Sequence, residues 1–330
     1  MKTRIAAAFG AALLAASGSD AVALSLGGDF AADYTVASLG TPAGFSGPLG
    51  GLTFAPGDPN TLWIGDDANT ASGAIYAVPV VRDVDDTIIA LGATRTLVTT
   101  APNIDGGVDF APNGTLFFST FSDNRIGQVL PGSSAPDRFV ELTALGVASS
   151  TGTLRFVPQG LPGAGRLKVA SYNGDRFYDM PFILDTDGTY VLGNVTSDVA
   201  ITGGPEGIVY VLGGNPGFAT DSLLISEYDA GEVGVYEIDA NGDPIPGTRR
   251  DFLTGLTGAE GGVSDPLTGD FVFSTFGGGN QVVVVSGFTA PTGGGGGGGG
   301  TGAEIPLPGA AALMALGLGA LGAVRRRRRG

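Results

Sequence analysis

A glycine recurs in this chain at Gly50, Gly106, Gly152, Gly207 and Gly261, at spacings of 56, 46, 55 and 54 residues. Around each copy the order is the same. A variable residue precedes the glycine, an apolar strand follows it, and a turn leads to a second apolar strand that closes on a small or polar residue. The first strands carry Leu52 and Phe54, Val108 and Phe110, Leu154 and Phe156, Val209 and Val211, and Val263. The second run from Leu62 to Ile64, Leu116 to Phe118, Leu167 to Ala170, Leu223 to Ile225 and Phe271 to Phe273. Self-similarity at this period implies an array of strand-built units, each burying its apolar faces against its neighbours. A ring of four-stranded blades closes such an array and leaves only short edges. Helical periodicity is absent from the repeats.

The turns agree. Gly57-Asp58-Pro59-Asn60 and Asn113-Gly114 supply positions that tolerate positive φ. Asp185-Thr186-Asp187-Gly188, placed between the third and fourth strands of blade 3, and Asp239-Ala240-Asn241-Gly242-Asp243 have the composition of acidic cation loops. Neither has a downstream bidentate Glu at the required offset, so both are expected to be hairpin turns. One strand, Asp33 to Leu39, lies outside the repeat register, and the last repeat, ending with Gln281 to Val285, has room for three strands. The N-terminal strand is therefore expected to complete the last blade and close the ring. The fold class expected is an all-β propeller of five blades over residues 24–290. Six blades is the alternative, with a degenerate unit between residues 24 and 48. Trp63 and Tyr76 alternate with apolar neighbours and are expected in blade-to-blade packing. Gly277 to Gly279 opens no helix, which argues against a phosphate loop.

The two ends have other compositions. Residues 1–23 read as a secretory signal: Lys2 and Arg4, then apolar Ile5 to Ala16, then the small-x-small site Ala21-Val22-Ala23. Residues 291–304 include eight consecutive glycines, Gly293 to Gly300, a linker composition with nothing to build a core. After it come Ile305-Pro306-Leu307-Pro308-Gly309, an apolar run to Val324 and the five arginines Arg325 to Arg329. The 16 residues from Gly309 to Val324 make a helix of about 24 Å, short of the ~30 Å hydrocarbon core unless arginines snorkel. The arginines are expected on the cytoplasmic side. This three-part tail, residues 305–330, resembles the PEP-CTERM sorting signals of Gram-negative bacteria in their Val-Pro-Leu-Pro-Ala variant, with Ile for the first residue and Gly for the last. The resemblance implies a transient membrane anchor, processing by an exosortase-type enzyme, and delivery to the cell surface or matrix. A plain C-terminal membrane anchor is the alternative.

Composition removes whole classes of chemistry. The chain has no Cys and no His. Disulfides, thiolate nucleophiles, Ser-His-Asp systems and imidazole-ligated metals are all excluded. Oxygen chemistry remains. The net charge is −15, with 32 acidic residues against 17 basic, and Lys2, Arg4 and Arg325–Arg329 supply seven of those 17. The body is thus strongly acidic, a surface that repels nucleic acid and attracts cations.

In a propeller the first strand of each blade lines the axis. The residue before each glycine then forms a ring: Leu49, Asp105, Thr151, Glu206 and Glu260. Three carboxylates converge there, and Asp105, Glu206 and Glu260 are the candidate metal ligands. Ca²⁺, which takes six to eight oxygens in flexible geometry, is the ion such a ring suits. Hydration of a polar channel without any ion is the competing reading. The ends of the second strands return to the same face and form a candidate ligand face: Asp66, Asp67, Asp123, Tyr172, Asn173, Glu227 and Asp229. No catalytic residue and no organic cofactor can be assigned.

An acid before a glycine at the start of an innermost strand, as in Asp105-Gly106, Glu206-Gly207 and Glu260-Gly261, also resembles the gluconolactonase and regucalcin type of propeller. That likeness implies one divalent metal in the channel and a lactonase-type hydrolase. Leu49 and Thr151 depart from the pattern, and so does a count of five blades against that family's six. The function expected is a surface-sorted binding or scaffold module, partnered by matrix polysaccharide or another surface protein. A Ca²⁺-dependent hydrolase is the alternative.

Overall fold

In the computed structural model, residues 23–289 are described and form five antiparallel blades around one axis. The expected signal segment before Ala23, the glycine linker and the sorting tail lie outside the described residues. Blade 1 comprises Leu52–Ala55, Asp58–Asp66, Ala74–Arg82 and Thr96–Thr100, and blade 2 comprises Ile104–Phe110, Leu116–Thr120, Arg125–Val129 and Arg138–Glu141. Blade 3 is built from Thr151–Phe156, Leu167–Ser171, Arg176–Met180 and Ser197–Ala200, and blade 4 from Pro205–Val211, Ser222–Glu227, Glu232–Glu237 and Arg250–Thr254. Blade 5 takes Ala259–Ser264, Phe271–Thr275 and Val282–Ser286 from the C-terminal end, and its outer strand is Thr35–Gly40. Closure by the N-terminal strand is thus observed, with Val36 opposite Val285 and Ala37 opposite Val284. The pairing leaves no long unpaired edge at the seam.

Three features differ from the expectation, the first being an extra strand in blade 1, Ile88–Leu91, which pairs with the outer half of Ala74–Arg82. The Asp185–Gly188 turn does not join the third and fourth strands of blade 3. It closes an extra hairpin, Phe182–Leu184 with Tyr190–Leu192, inserted before the fourth strand. A short strand, Ser25–Leu26, also adds a fifth member to blade 4. All three are additions at the periphery, where the ring places no limit on length.

Each blade is a sheet buried on both faces, so its strands are apolar at consecutive positions rather than alternately. The run Val282-Val283-Val284-Val285 shows the consequence. Val282 and Val284 pack toward blade 1 with Leu52, Leu62 and Ile64, whereas Val283 and Val285 pack toward blade 4 with Phe252 and Leu224. Five such inter-blade cores result, one for each junction of the ring. The blade 4–5 core is the most aromatic, with Phe30, Tyr34, Phe218, Phe252, Phe271 and Phe273. Trp63 packs edge-on against Phe110 at 5.3 Å between blades 1 and 2, and Tyr76 against Phe45 at 5.6 Å.

Candidate functional site

The five glycines of the repeat lie where the inner strands come closest to one another. A side chain at Gly106 would run into the Glu206 carbonyl oxygen, and one at Gly261 into the Gly51 Cα. Backbone hydrogen bonds cross between blades at this level, as from Gly51 N to the Asp105 carbonyl at 2.8 Å. Only glycine permits that approach. The residue before each glycine is consequently held at the axis itself.

Asp105, Glu206 and Glu260 meet there. One carboxylate oxygen from each lies within 4.8 Å of the other two, and the side chains are 1 %, 3 % and 1 % exposed. Among the described residues, no donor from outside the cluster reaches Asp105 Oδ2, Glu206 Oε2 or Glu260 Oε1. Buried carboxylate oxygens without partners are costly, and buried charges in proteins are paired or bind metals. With its amide assigned so that the nitrogen faces these acceptors, Asn69 donates to Asp105 Oδ1 at 3.1 Å and to the Ile104 carbonyl at 3.2 Å. Burial pushes the Asp105 carboxyl up to about 8, against the opposing effect of hydrogen bonds from Glu260, Asn69 and Glu206. Glu206 and Glu260 stand well above the usual carboxylate range, through burial first and the neighbouring Asp105 second. Without a cation the cluster keeps protons at neutral pH, and a cation would displace them. The three oxygens suit a hard, oxygen-seeking ion and can hold a metal.

The other two members of the ring behave differently. Leu49 turns into the blade 5–1 core, and Thr151 donates to Asn124 Oδ1 at 2.7 Å.

Above the triad lies a pocket of about 180 Å³, lined by Asn69, Phe121, Tyr172, Tyr228 and Phe276 as well as the three acids. Of the seven residues expected on the ligand face, Tyr172 alone lines it. Asp66 is buried in an ion pair with Arg95 and accepts from Asp67 N at 3.0 Å. Glu227 is buried, accepting from Arg249 Nη2 at 2.5 Å and from the Tyr236 hydroxyl at 2.6 Å. Asp123 pairs with Arg125 and accepts from Asn103 at 2.8 Å. Asn173 is exposed and donates to Ser150 Oγ at 3.1 Å. Asp67 adopts φ 53° in a loop, and Asp229 is exposed, accepting from the Tyr172 hydroxyl at 2.7 Å. The acids of this face are therefore largely consumed by local arginines and turns.

Two groups escaped the sequence reading. Phe121, Tyr228 and Phe276 occupy the same place as Tyr172, just past the second strand in blades 2, 4 and 5. Ser119-Thr120-Phe121, Ala170-Ser171-Tyr172, Ser226-Glu227-Tyr228 and Ser274-Thr275-Phe276 carry that signature. The other is Arg155, three residues beyond Gly152. It is buried on the axis below the triad and donates from Nε to the Ile208 carbonyl at 3.0 Å and from Nη2 to the Gly262 carbonyl. It also pairs with Asp109 at 3.3 Å. One guanidinium thus bridges blades 2, 3, 4 and 5 and closes the channel under the acids.

No protein-family model matches the chain, and no curated protein matches it. Among solved structures it is similar to the PQQ domain of a pyranose dehydrogenase from Coprinopsis cinerea, at 11 % identity and a TM-score of 0.44, covering 80 % of this chain and 97 % of that one. It is also similar to a virginiamycin B lyase from Staphylococcus aureus (12 % identity, TM-score 0.38, 77 % and 99 % covered). A third is an auxiliary nutrient binding protein from Bacteroides ovatus (11 % identity, TM-score 0.41, 77 % and 76 % covered). The likeness is one of propeller architecture.

Proposed function

We infer that this protein is a secreted, surface-sorted binding module whose axial site holds Ca²⁺ on Asp105, Glu206 and Glu260. The observation that carries this is the buried triad itself: one carboxylate oxygen of each acid lies within 4.8 Å of the other two, and each acid has an oxygen that no donor from outside the triad reaches among the described residues. Three side chains leave part of the six to eight oxygen ligands of Ca²⁺ unfilled, and the open positions face the pocket. A ligand entering from solvent would complete them. Secretion and sorting rest on the terminal segments of the sequence, and exosortase-type processing belongs to the same reading.

Binding is favoured over hydrolysis by what lines the pocket. Its titratable groups are the three acids, which hold the ion, and Tyr172 and Tyr228, both raised above the usual tyrosine range, mainly by burial. No fourth carboxylate is among the lining residues, and Asp229 at the rim is engaged by the Tyr172 hydroxyl, so none is placed as a general base. Calorimetric titration of the purified protein with CaCl₂ tests the reading. Heat of binding and a rise in Tm are expected in the wild type, and both should vanish in the double variant Glu206→Gln, Glu260→Gln. Absence of both in the wild type would refute it. Metal-dependent turnover of lactones would favour the hydrolase instead.

A further inference from the structure

The site has a shape as well as a charge. Phe121, Tyr172, Tyr228 and Phe276 follow one another round the mouth, one from each of blades 2 to 5. Neighbouring rings lie 6.2, 5.7 and 6.1 Å apart and stand at 79°, 89° and 65° to each other. Blade 1 has Asp67 at the equivalent place, and Asn69 of its loop lines the pocket on that side. No arginine or lysine is among the lining residues. Below, Arg155 seals the axis by its bonds to Ile208, Gly262 and Asp109. The pocket therefore opens on one side only, and its volume of about 180 Å³ has room for one six-membered ring.

Charge narrows what that ring can be. Three carboxylates carry one negative charge more than a divalent cation neutralises, and Asp229 adds another at the rim through Tyr172. An anion is repelled by this excess, and a cationic group has no lone pair with which to fill the metal's open positions. Neutral oxygens meet neither penalty and still satisfy Ca²⁺. Aromatic walls exclude water and pack against the C–H face of a saturated ring, and tyrosine adds a polar tip. Resting on the calcium reading, we propose that the pocket binds the terminal residue of a neutral glycan, with hydroxyls on the metal and the ring against the aromatic collar. An internal glycan residue carries the chain at both ends and needs a groove open at both sides, which this dead end does not provide.

The test begins with calcium alone, by calorimetry. Methyl α-mannopyranoside, methyl α-glucopyranoside and methyl β-galactopyranoside are then titrated into the calcium-loaded protein, with glucuronate as the anionic comparison. At least one neutral glycoside should bind with calcium and not in EDTA, and glucuronate should bind at least about tenfold more weakly, a difference of ~1.4 kcal/mol. Tyr172→Ala and Phe276→Ala should each weaken the glycoside about tenfold while calcium affinity stays within about twofold, with circular dichroism confirming the fold. If calcium binds and none of the three glycosides does, the proposal is overturned and the calcium site stands. Binding that persists in EDTA, or glucuronate binding as tightly, also overturns it. If calcium itself does not bind, the reading underneath has failed, and the first titration reports that separately.

Discussion

The sharpest consequence of the buried triad is a stability that falls as pH rises, in the absence of metal. Asp105 is the group to perturb. Its carboxyl is pushed up to about 8 by burial, whereas an unfolded aspartate titrates near ~3.9. A folded-state value above the unfolded one leaves stability intact below about pH 4 and erodes it as pH rises toward 8, because the unfolded chain releases its proton first. At ~1.36 kcal/mol per unit, a gap of about four units amounts to an upper limit of about 5 kcal/mol for this residue. Glu206 and Glu260 are raised as well and act in the same direction. Urea denaturation in EDTA at pH 5 and pH 8 measures the effect. The wild type should be several kcal/mol less stable at pH 8, and Asp105→Asn should recover much of the difference, since the amide keeps the Asn69 contact but cannot ionise. Saturating Ca²⁺ should restore the wild type at pH 8, by about 4 kcal/mol at a thousandfold excess over Kd, and should do little for Asp105→Asn. Equal wild-type stability at the two pH values in EDTA would refute the reasoning, as would an Asp105→Asn protein less stable than wild type at pH 8.

Two further outcomes follow from the architecture. Arg155→Met should cost about 3–5 kcal/mol in chemical denaturation, because it leaves Asp109 buried without its partner; a change below about 1 kcal/mol would show that the axial bridge contributes little. Removing the residues before Thr41 exposes Val282–Ser286 as an edge strand and takes Phe30 and Tyr34 from the blade 4–5 core. Gel filtration should then show oligomers or aggregate, and a monomer with unchanged Tm would contradict the closure described here.

Much of the ring was legible because its physics is periodic. Each blade has to put a glycine where inner strands crowd the axis, and apolar residues where blades stack. Reading the Gly106, Gly207 and Gly261 column one residue back was enough to name Asp105, Glu206 and Glu260. Reading it three residues forward would have found Asp109 and Arg155 in the same way. The aromatic collar was harder to see. Phe121 and Phe276 fall 15 residues after their glycines, but Tyr172 and Tyr228 fall 20 and 21 after theirs. Loops of unequal length destroy the fixed offset while the strands restore it in space.

The sequence by itself determined the repeat and with it the propeller, the loss of imidazole and thiol chemistry, and the acids at the axis, since each depends on residue type at a repeating position; it favoured five blades closed by the N-terminal strand but left six open, and the structure settled on five. Only the tertiary structure decided which acids are free. Asp66 and Glu227 look as available in sequence as Glu206, yet Arg95 and Arg249 neutralise them, whereas no arginine among the described residues pairs with the triad. That difference depends on distances between residues 22 to 29 positions apart or more, and chain order does not encode it.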